Sequence, residues 1–224
     1  MELSENTIQV LKNFASINPN IVIKQGNTLK TISEAKNVLA SAAILEDIPQ
    51  DFGIYDLNQF LNVLGLVDTP RLDFQNDYVV IGDSTGRTEI KYFYSDIDML
   101  TSPSKDIVMP SVEISFLLDN ETINKIKRAS SVLENSSLAI SGEDGILKLS
   151  VIDPENPTSN TFSIEIDGDY DNDGFSLLIN ISNLKMLPGD YQVKISKSLI
   201  SHFENVENKT QYWIALEKTS TYGE

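Results

Sequence analysis

Two short motifs in this sequence could support chemistry, and each lacks a residue that its chemistry needs. Residues 82–86, Gly-Asp-Ser-Thr-Gly, fit the G-x-S-x-G pattern of a nucleophilic serine, which suggests a hydrolase acting through Ser84. Such a serine needs a histidine partner and a following helix. The one histidine, His202, lies in a polar stretch, and residues 87–94 alternate like a strand. We therefore expect a hairpin turn at this motif.

An acidic run at residues 169–174 resembles the start of a calcium-binding loop. Its aspartates alternate before a glycine, but the twelfth position, where such a loop has a bidentate glutamate, is Asn180. Other carboxylates are numerous, and none has an apolar sequence environment that marks it as a catalytic acid or base. Cysteine is absent, which excludes disulfides, thiol catalysis and cysteine metal sites. The sequence thus predicts a protein that is not an enzyme and has neither cofactor nor metal site.

The charge distribution bears on nucleic-acid binding. The 224 residues include 33 acidic and 17 basic ones, a formal net charge of −16, so bulk charge alone predicts that the chain repels nucleic acid. Against that background Lys125, Lys127 and Arg128 crowd one turn of a predicted helix, and Lys185 lies in a shorter one. This pattern fits either a solvated helix face or a basic surface that several helices share.

Three of these cations belong to the clearest helix in the sequence, residues 119–133, for which Asp119 or Asn120 can act as the N-cap. One side of this helix is apolar and the opposite side is charged. The apolar side comprises Ile123, Ile126, Ala129, Ser130 and Leu133. The start of the chain repeats the pattern over residues 4–18, with Lys12 at the wheel position of Lys127. In both helices we expect one face to be buried and the other to present cations.

The likeness between the two halves of the chain continues beyond these helices. Residues 21–23 correspond to 138–140, residues 26–30 to 145–148, and residues 52–57 to 175–181, at an offset that drifts slightly, as loop insertions would cause. The chain is therefore predicted to be a duplicated α+β unit. Residues 95–110 contain two prolines and no clean period, which indicates a linker. We predict two domains, 1–100 and 111–224, joined by residues 101–110.

Hydrophobic periodicity predicts the remaining elements. The first domain has a helix at 57–66 and strands at 20–24, 37–46, 52–55, 71–74, 78–81 and 87–94. The second has a short helix at 182–187 and strands at 111–118, 138–141, 145–152, 161–166, 175–181, 191–196 and 211–216. No signal-peptide pattern and no apolar run near the roughly 18 residues of a membrane span occur, so we expect a soluble cytoplasmic protein.

Several stretches resemble one family over essentially the whole chain. They are residues 11–18, 54–61, 168–171, 183–186 and 188–191. With these stretches the chain resembles a sliding clamp, the DNA polymerase processivity factor, of the trimeric kind found in large tailed bacteriophages. The resemblance implies a DNA-clamp fold of the α+β class with two similar domains per chain. It also implies a homotrimeric ring, with helices inside around duplex DNA and antiparallel sheets outside.

The resemblance also implies where the clamp binds its partners. Arg128 and Lys185 match the inward helices of the family and are expected to face DNA. Lys125 and Lys12 follow by the internal repeat, and Lys127 belongs to the same predicted DNA-facing set. The subunit interface joins residues 87–94 of one copy to residues 161–166 of the next, through Tyr92, Phe93, Tyr94, Phe162 and Ile164. A pocket beside the linker binds partner peptides through Ile107, Met109 and Pro110, with Leu199 and Ile200, in a loop, as the opposite wall.

The implied partners are duplex DNA without sequence specificity, the replicative DNA polymerase, an ATP-dependent clamp loader, transcription factors and further copies of this chain, in the cytoplasm of the infected bacterial host. The competing interpretation is a non-catalytic phage structural or scaffold protein built of duplicated α+β units. Dispersed lysines on the long helices would favour that alternative.

Overall fold

The computed structural model describes residues 1–105 and 107–223, and the chain divides into two units, Met1–Asp106 and Ile107–Glu224. The first unit begins with helix α1 (Glu5–Ile17) and also contains helix α2 (Leu57–Leu64). Its strands are β1 (Ile21–Ile23), β2 (Gly26–Ile32), β3 (Val38–Ile48), β4 (Phe52–Ile54), β5 (Arg71–Phe74), β6 (Tyr78–Gly82) and β7 (Glu89–Phe93). A 3-10 turn, Ile97–Met99, follows β7.

The second unit has one long helix, α3 (Asn120–Leu133), and a 3-10 turn, Ile181–Asn183. Its strands are β8 (Ile114–Leu118), β9 (Ser137–Glu143), β10 (Ile146–Ile152), β11 (Phe162–Ile166), β12 (Gly168–Tyr170), β13 (Phe175–Asn180), β14 (Tyr191–Ser196), β15 (Ile200–Asn205) and β16 (Gln211–Ala215). In both units a long helix precedes a series of strands, a short helical element and three final strands. The predicted α+β duplication is confirmed.

Helix α1 forms because its ends are capped and its apolar residues share a face. The Ser4 hydroxyl accepts a hydrogen bond from the backbone N–H of Thr7 at 3.2 Å, which satisfies one of the unpaired amides of the first turn. Val10, Leu11 and Phe14 are buried on one side. Burial of these three side chains contributes about 1.5–3 kcal/mol each to folding, so packing and not intrinsic propensity holds the helix.

Helix α3 is built in the same way. Asp119 is the N-cap, and its carboxylate accepts from the N–H of Thr122 at 2.6 Å. Ile123 and Ile126 are buried, whereas the rest of the predicted apolar side, Ala129, Ser130 and Leu133, is half-buried. The predicted capping and orientation of α3 are therefore correct.

The strands that we describe pair antiparallel within each unit. In the first unit β1 pairs with β4, β2 with β3, and three strands pair in the order β5-β6-β7. In the second unit the orders are β11-β10-β9-β13 and β12-β8-β14-β15-β16. Within their own units β7 and β11 therefore lie at sheet ends, each with one side of its backbone unpaired.

The sequence does not predict strand β15, and the loop expected around Ile200 is wrong because Ile200 begins that strand. Polar residues within β15 make its sequence look like a loop, but their side chains contact the neighbouring strand β16. The Ser201 hydroxyl donates to the carbonyl of Ile214 at 2.8 Å, and the His202 ring stacks on Trp213 with a centroid separation of 4.9 Å. Tertiary partners here override a polar pattern.

The helix predicted at residues 182–187 is also wrong, because only the 3-10 turn Ile181–Asn183 forms. Asn180 caps this turn by accepting from the N–H of Ser182 at 3.0 Å. Pro188 disfavours the α conformation at the residue before it, so the chain cannot continue as a helix through Leu187. Lys185 consequently follows a turn instead of lying on a helix.

Residues 95–101, part of the proline-containing segment, are fixed to the first unit. The N–H of Ser95 donates to the carbonyl of Gly53 at 2.9 Å, and Leu100 is buried. A Cβ added to Gly53 would lie 2.7 Å from both the Ser95 carbonyl oxygen and the Leu100 side chain, so only glycine permits this approach. The N–H of Thr101 donates to the Asn20 side chain at 3.1 Å.

The two motifs that suggested chemistry are turns and strands. Residues 82–86 join β6 to β7, and the Asp83 carboxylate accepts from the N–H and the hydroxyl of Thr85 at 2.8 and 2.7 Å. The hydrogen bond from the Thr85 side chain lowers the pKa of Asp83 to about 2. Residues 169–174 connect β12 to β13, and Asp173 accepts from the Tyr170 hydroxyl at 2.8 Å.

The described part of the chain has neither clustered metal ligands nor a membrane-spanning helix. Among residues 1–105 and 107–223 no group of three or more histidine or acidic side chains is placed to hold a metal ion. In the same residues no helix is both long and apolar enough to cross a membrane.

Candidate functional site

The basic face of α3 carries two exposed cations with different surroundings. Lys125 forms an ion pair with Glu121, one turn earlier, at 2.6 Å, and the hydrogen bond that Lys125 donates to this carboxylate raises the pKa of Lys125. An exposed pair of this spacing is weak because water screens it, so a phosphate can displace it. Arg128 is exposed and has no ion-pair partner in the described part of the chain. Both cations are therefore available to an anion.

Lys127 and Lys12, which share a wheel position, differ in exposure. Lys12 on α1 is exposed and, across the described residues, lacks an ion-pair partner. Lys127 is half-buried, and burial lowers its pKa. Lys185 is exposed and follows the 3-10 turn, with its N–H donating to the Asn183 carbonyl at 2.8 Å. Of the predicted cations, Lys127 presents the least of its side chain to solvent-borne ligands.

The N-terminus of α1 is held by a carboxylate from strand β3, which sequence reasoning missed. One oxygen of Glu46 accepts from the Thr7 hydroxyl at 2.6 Å, and the other accepts from the N–H of Ser4. Burial alone would raise the pKa of Glu46, but the hydrogen bonds from Thr7 and Ser4 outweigh it and lower that pKa. A negative charge at this end also interacts favourably with the positive end of the helix dipole.

Helix α3 has an equivalent anchor, also missed. The Asp190 carboxylate, just before β14, accepts from the N–H of Asn120 at 2.8 Å. The Asn120 side chain in turn accepts from the N–H of Gly189 at 3.2 Å. In so acidic a chain nothing in the sequence distinguishes Glu46 or Asp190 from solvated carboxylates.

The aromatic residues of the β7 edge lie on two different faces. The Tyr92 ring meets Phe60 of α2 edge-on at 5.1 Å, and Tyr94 packs against Phe52 at 4.9 Å. Phe93, between them, is 65% exposed. The edge therefore has a half-buried apolar face and an opposite face on which Phe93 and its neighbour Lys91 are exposed.

The β11 edge alternates in the same way. Phe162, Ile164 and Ile166 are half-buried on one face, whereas Ser163 and Glu165 are exposed on the other. An open groove of about 700 Å³ lies beside this edge and is lined in part by Leu117, Ile146, Ile164 and Ile166. Leu117 and Ile146 are 56% and 46% exposed, so the groove leaves apolar surface uncovered in the single chain.

Comparison with known proteins decides the family. Residues 4–81 match the family profile of the DNA polymerase processivity factor, and residues 115–218 match that of the gp45 sliding clamp, C terminal. The sliding clamp of Vibrio phage KVP40 is 33% identical over 97% of this chain and 99% of its own length. Those of Escherichia phage RB69 and Enterobacteria phage T4 are each 31% identical over 99% of both chains. The chain belongs to the sliding-clamp family.

Solved structures agree on the fold of this clamp. Proliferating Cellular Nuclear Antigen from Entamoeba histolytica superimposes with a TM-score of 0.67 over 94% of both chains, at 13% identity. The Thermococcus kodakaraensis protein gives 0.68 over 95% of this chain and 96% of that one, at 12% identity. The predicted clamp fold is confirmed. The clamp is a DNA polymerase processivity factor without catalytic activity, and the scaffold-protein alternative is not favoured.

The residues predicted to bind partner peptides lie near the start of the second unit of the clamp and in its β14–β15 turn. Ile107, Met109 and Ile200 are half-buried, and Pro110 is exposed. Leu199 is half-buried and has a left-handed backbone, with φ +63°.

A buried carboxylate, Glu113, joins these two segments of the clamp. It accepts from the N–H of Lys197 at 2.8 Å and from the Ser111 hydroxyl at 3.0 Å. Burial would raise the pKa of Glu113, but these hydrogen bonds lower it. The Ser111 hydroxyl also lies 2.7 Å from that of Ser196.

Proposed function

We propose that three copies of this clamp close into a ring around duplex DNA and tether the replicative polymerase to it. One observation carries the proposal. Helix α3 has three cations against one carboxylate, whereas the remaining residues hold 14 of the 17 cations and 32 of the 33 carboxylates. A ring holds DNA by topology, so it needs only a weakly attractive lining, and acidic surfaces elsewhere discourage unproductive contacts.

The lining of the ring consists of α1, α3 and the segment after the second 3-10 turn. Four of the predicted cations are exposed: Lys12, Lys125, Arg128 and Lys185. Lys127, between Lys125 and Arg128 in the sequence, is half-buried. Long side chains of this kind contact phosphates and carry no sequence information, so the ring can occupy any position on the duplex.

Ring closure joins β7 of one copy to β11 of the next, head to tail. The apolar faces of the two edges coincide only if even-numbered residues lie opposite even-numbered ones. In the antiparallel register that places Lys91 opposite Glu165, Tyr92 lies opposite Ile164 and Tyr94 opposite Phe162. Phe93 then lies on the exposed face opposite Ser163. This register matches apolar side chains on one face and opposite charges on the other.

Partner proteins dock between the two segments that Glu113 joins. Apolar side chains of a partner peptide enter between Ile107, Met109 and Pro110 on one side and Leu199 and Ile200 on the other. Methionine suits a site that accepts several ligands because its side chain is unbranched and flexible. The partners are the polymerase, an ATP-dependent loader that opens the ring, and transcription factors, all in the cytoplasm of the infected bacterial host.

Retention on DNA of different topology tests the encircling ring. The clamp, loaded by an ATP-driven loader, should stay on closed circular DNA and slide off after one double-strand cut. A mass near 75 kDa, three times 24.9 kDa, is expected by light scattering. Equal retention on circular and linearised DNA would refute encirclement, because ordinary charge binding does not depend on free ends.

A further inference from the structure

A cavity in the first unit concentrates positive charge away from the long helices. Its volume is about 280 Å³, and its wall includes Lys24, Lys30 and Lys105. The wall also includes Thr28 of β2 and the apolar residues Val22 and Pro103. Three of the chain's 17 cations thus line one concave site.

One wall of the cavity is a β-strand, and the other is a segment that is anchored at its start. On β2, Leu29 and Thr31 are buried, so the alternate residues Thr28 and Lys30 project to the other face. On the other side, the segment that carries Lys105 is held at Thr101 by the hydrogen bond to Asn20. The nearby Asp51 carboxylate is already engaged, because it accepts from the N–H of Gln25 at 2.7 Å.

The charge of this cavity differs from that of the other open sites. Another cavity of the same unit, of about 290 Å³, has Asp51, Asp77 and Asp96 in its wall. The groove beside β11 has four carboxylates and one lysine. The described wall of the lysine-lined cavity contains no carboxylate. An anion that this acidic chain repels elsewhere is therefore attracted here.

We propose that this cavity binds carboxylate side chains of an acidic peptide segment in a protein that the clamp tethers. The inference adds a second contact, for anionic groups, to the proposed function. Lysine ammonium groups bind carboxylates as point charges, and Val22 and Pro103 accommodate the aliphatic part of such a side chain. The volume lies just below the range of about 300–1,000 Å³ typical of small-molecule pockets, which suits one or two side chains.

Nucleic acid fits this cavity less well. Binding of a nucleic-acid backbone requires a basic groove or stripe that follows successive phosphates. Here three cations lie in a single concave site, in a chain with 33 carboxylates, and no aromatic side chain for base stacking is in the described wall. The geometry favours a compact anionic group over a polymer of phosphates.

The test uses the intact clamp and a fluorescein-labelled peptide of alternating aspartate and glycine, with the asparagine version as neutral control. Fluorescence anisotropy gives Kd for the parent, for Lys24→Ala with Lys105→Ala, and for Lys218→Ala, an exposed lysine outside the cavity. If each lysine forms one exposed ion pair with the peptide, the double variant should bind the aspartate peptide roughly 2- to 25-fold more weakly. The Lys218→Ala clamp should bind like the parent.

Carbodiimide coupling locates the contact, because it joins a carboxylate to an ammonium group that touches it. Mass spectrometry should find the peptide on Lys24, Lys30 or Lys105. Equal binding of the asparagine peptide, equal Kd for the double and Lys218→Ala variants, or coupling confined to other lysines would overturn the proposal. Tighter binding of a single-stranded oligonucleotide at the same lysines would overturn it in favour of nucleic acid. No DNA or polymerase is present, so these results are independent of whether the ring encircles DNA.

Discussion

Reversing one charge at the proposed subunit junction should weaken the ring, and reversing its partner should restore it. We expect the trimer to be weaker in the Lys91→Glu variant and in the Glu165→Lys variant. When the two substitutions are combined in one chain, the trimer should regain its normal stability. Both residues are exposed on the outer face of their edge strands, so neither change disturbs a packed core. Lys91 also lies over the Tyr78 ring at 5.4 Å, so the thermal stability of that variant is checked separately.

The magnitude follows from the number of junctions. A favourable cross-strand pair is worth roughly 0.5 kcal/mol and a like-charge pair costs about as much, so each junction loses about 1 kcal/mol. A trimeric ring has three junctions, which gives about 3 kcal/mol, or roughly 150-fold in the overall dissociation constant. Because that constant scales with the square of the half-dissociation concentration, dissociation should begin at roughly 12-fold higher protein concentration than for the parent.

Light scattering across a dilution series measures that concentration directly. Lys194→Glu is the matched control, because Lys194 is also exposed but lies on β14, which has β8 and β15 on its two sides. This control should dissociate like the parent. Trimers of normal stability in both single variants, or failure of the combined variant to recover, would refute the register that places Lys91 opposite Glu165.

Three other predictions concern DNA, partners and pH. Lys125→Glu with Arg128→Glu should leave folding and assembly intact but weaken loading onto DNA. The salt dependence of DNA binding should become less steep by roughly one unit of slope for each phosphate that the ring no longer neutralises. Unchanged processivity at moderate salt would contradict this prediction. Met109→Asp or Leu199→Asp should abolish stimulation of the polymerase while the ring still loads, and normal stimulation by both would place the peptide site elsewhere. Folding lowers the pKa of Glu113, so the stability that this carboxylate contributes is complete above its pKa in the unfolded chain and is lost as the pH falls through its pKa in the folded chain. Urea unfolding of Glu113→Gln should therefore show a smaller loss of stability between pH 7 and pH 3 than the parent.

Elements with a strong local signal were predictable from the sequence. Helices α1 and α3 combine a capping side chain, Ser4 or Asp119, with an apolar face of period 3.6, and both form where expected. Strand β15 was not predictable, because His202 and Ser201 look solvated until Trp213 and Ile214 are brought beside them.

The candidate site divides along the same line. The cations of α3 are recognisable from their spacing, since three of them fall within one helical turn in a chain with 33 acidic and 17 basic residues. The carboxylates that position the helices, Glu46 and Asp190, act across 42 and 70 residues of sequence. Single-sequence reasoning has no means of choosing such distant partners among 33 acidic residues.

The hydrogen bonds at the N-termini of α1 and α3 have a consequence for motion along the duplex. Some backbone amides in the first turns of both helices already donate to side chains of the same protein. In α1 the N–H of Thr7 donates to Ser4, and in α3 the N–H groups of Asn120 and Thr122 donate to Asp190 and Asp119. In the proposed ring, a DNA phosphate therefore finds fewer amides to bind at a helix N-terminus, which is otherwise a rigid and directional anion site. It meets only the ends of long, mobile side chains, whose contacts are weak and can re-form at the next phosphate. If the chain forms the proposed ring, we expect a shallow energy profile along the DNA axis, with low friction and diffusion of the ring instead of pausing.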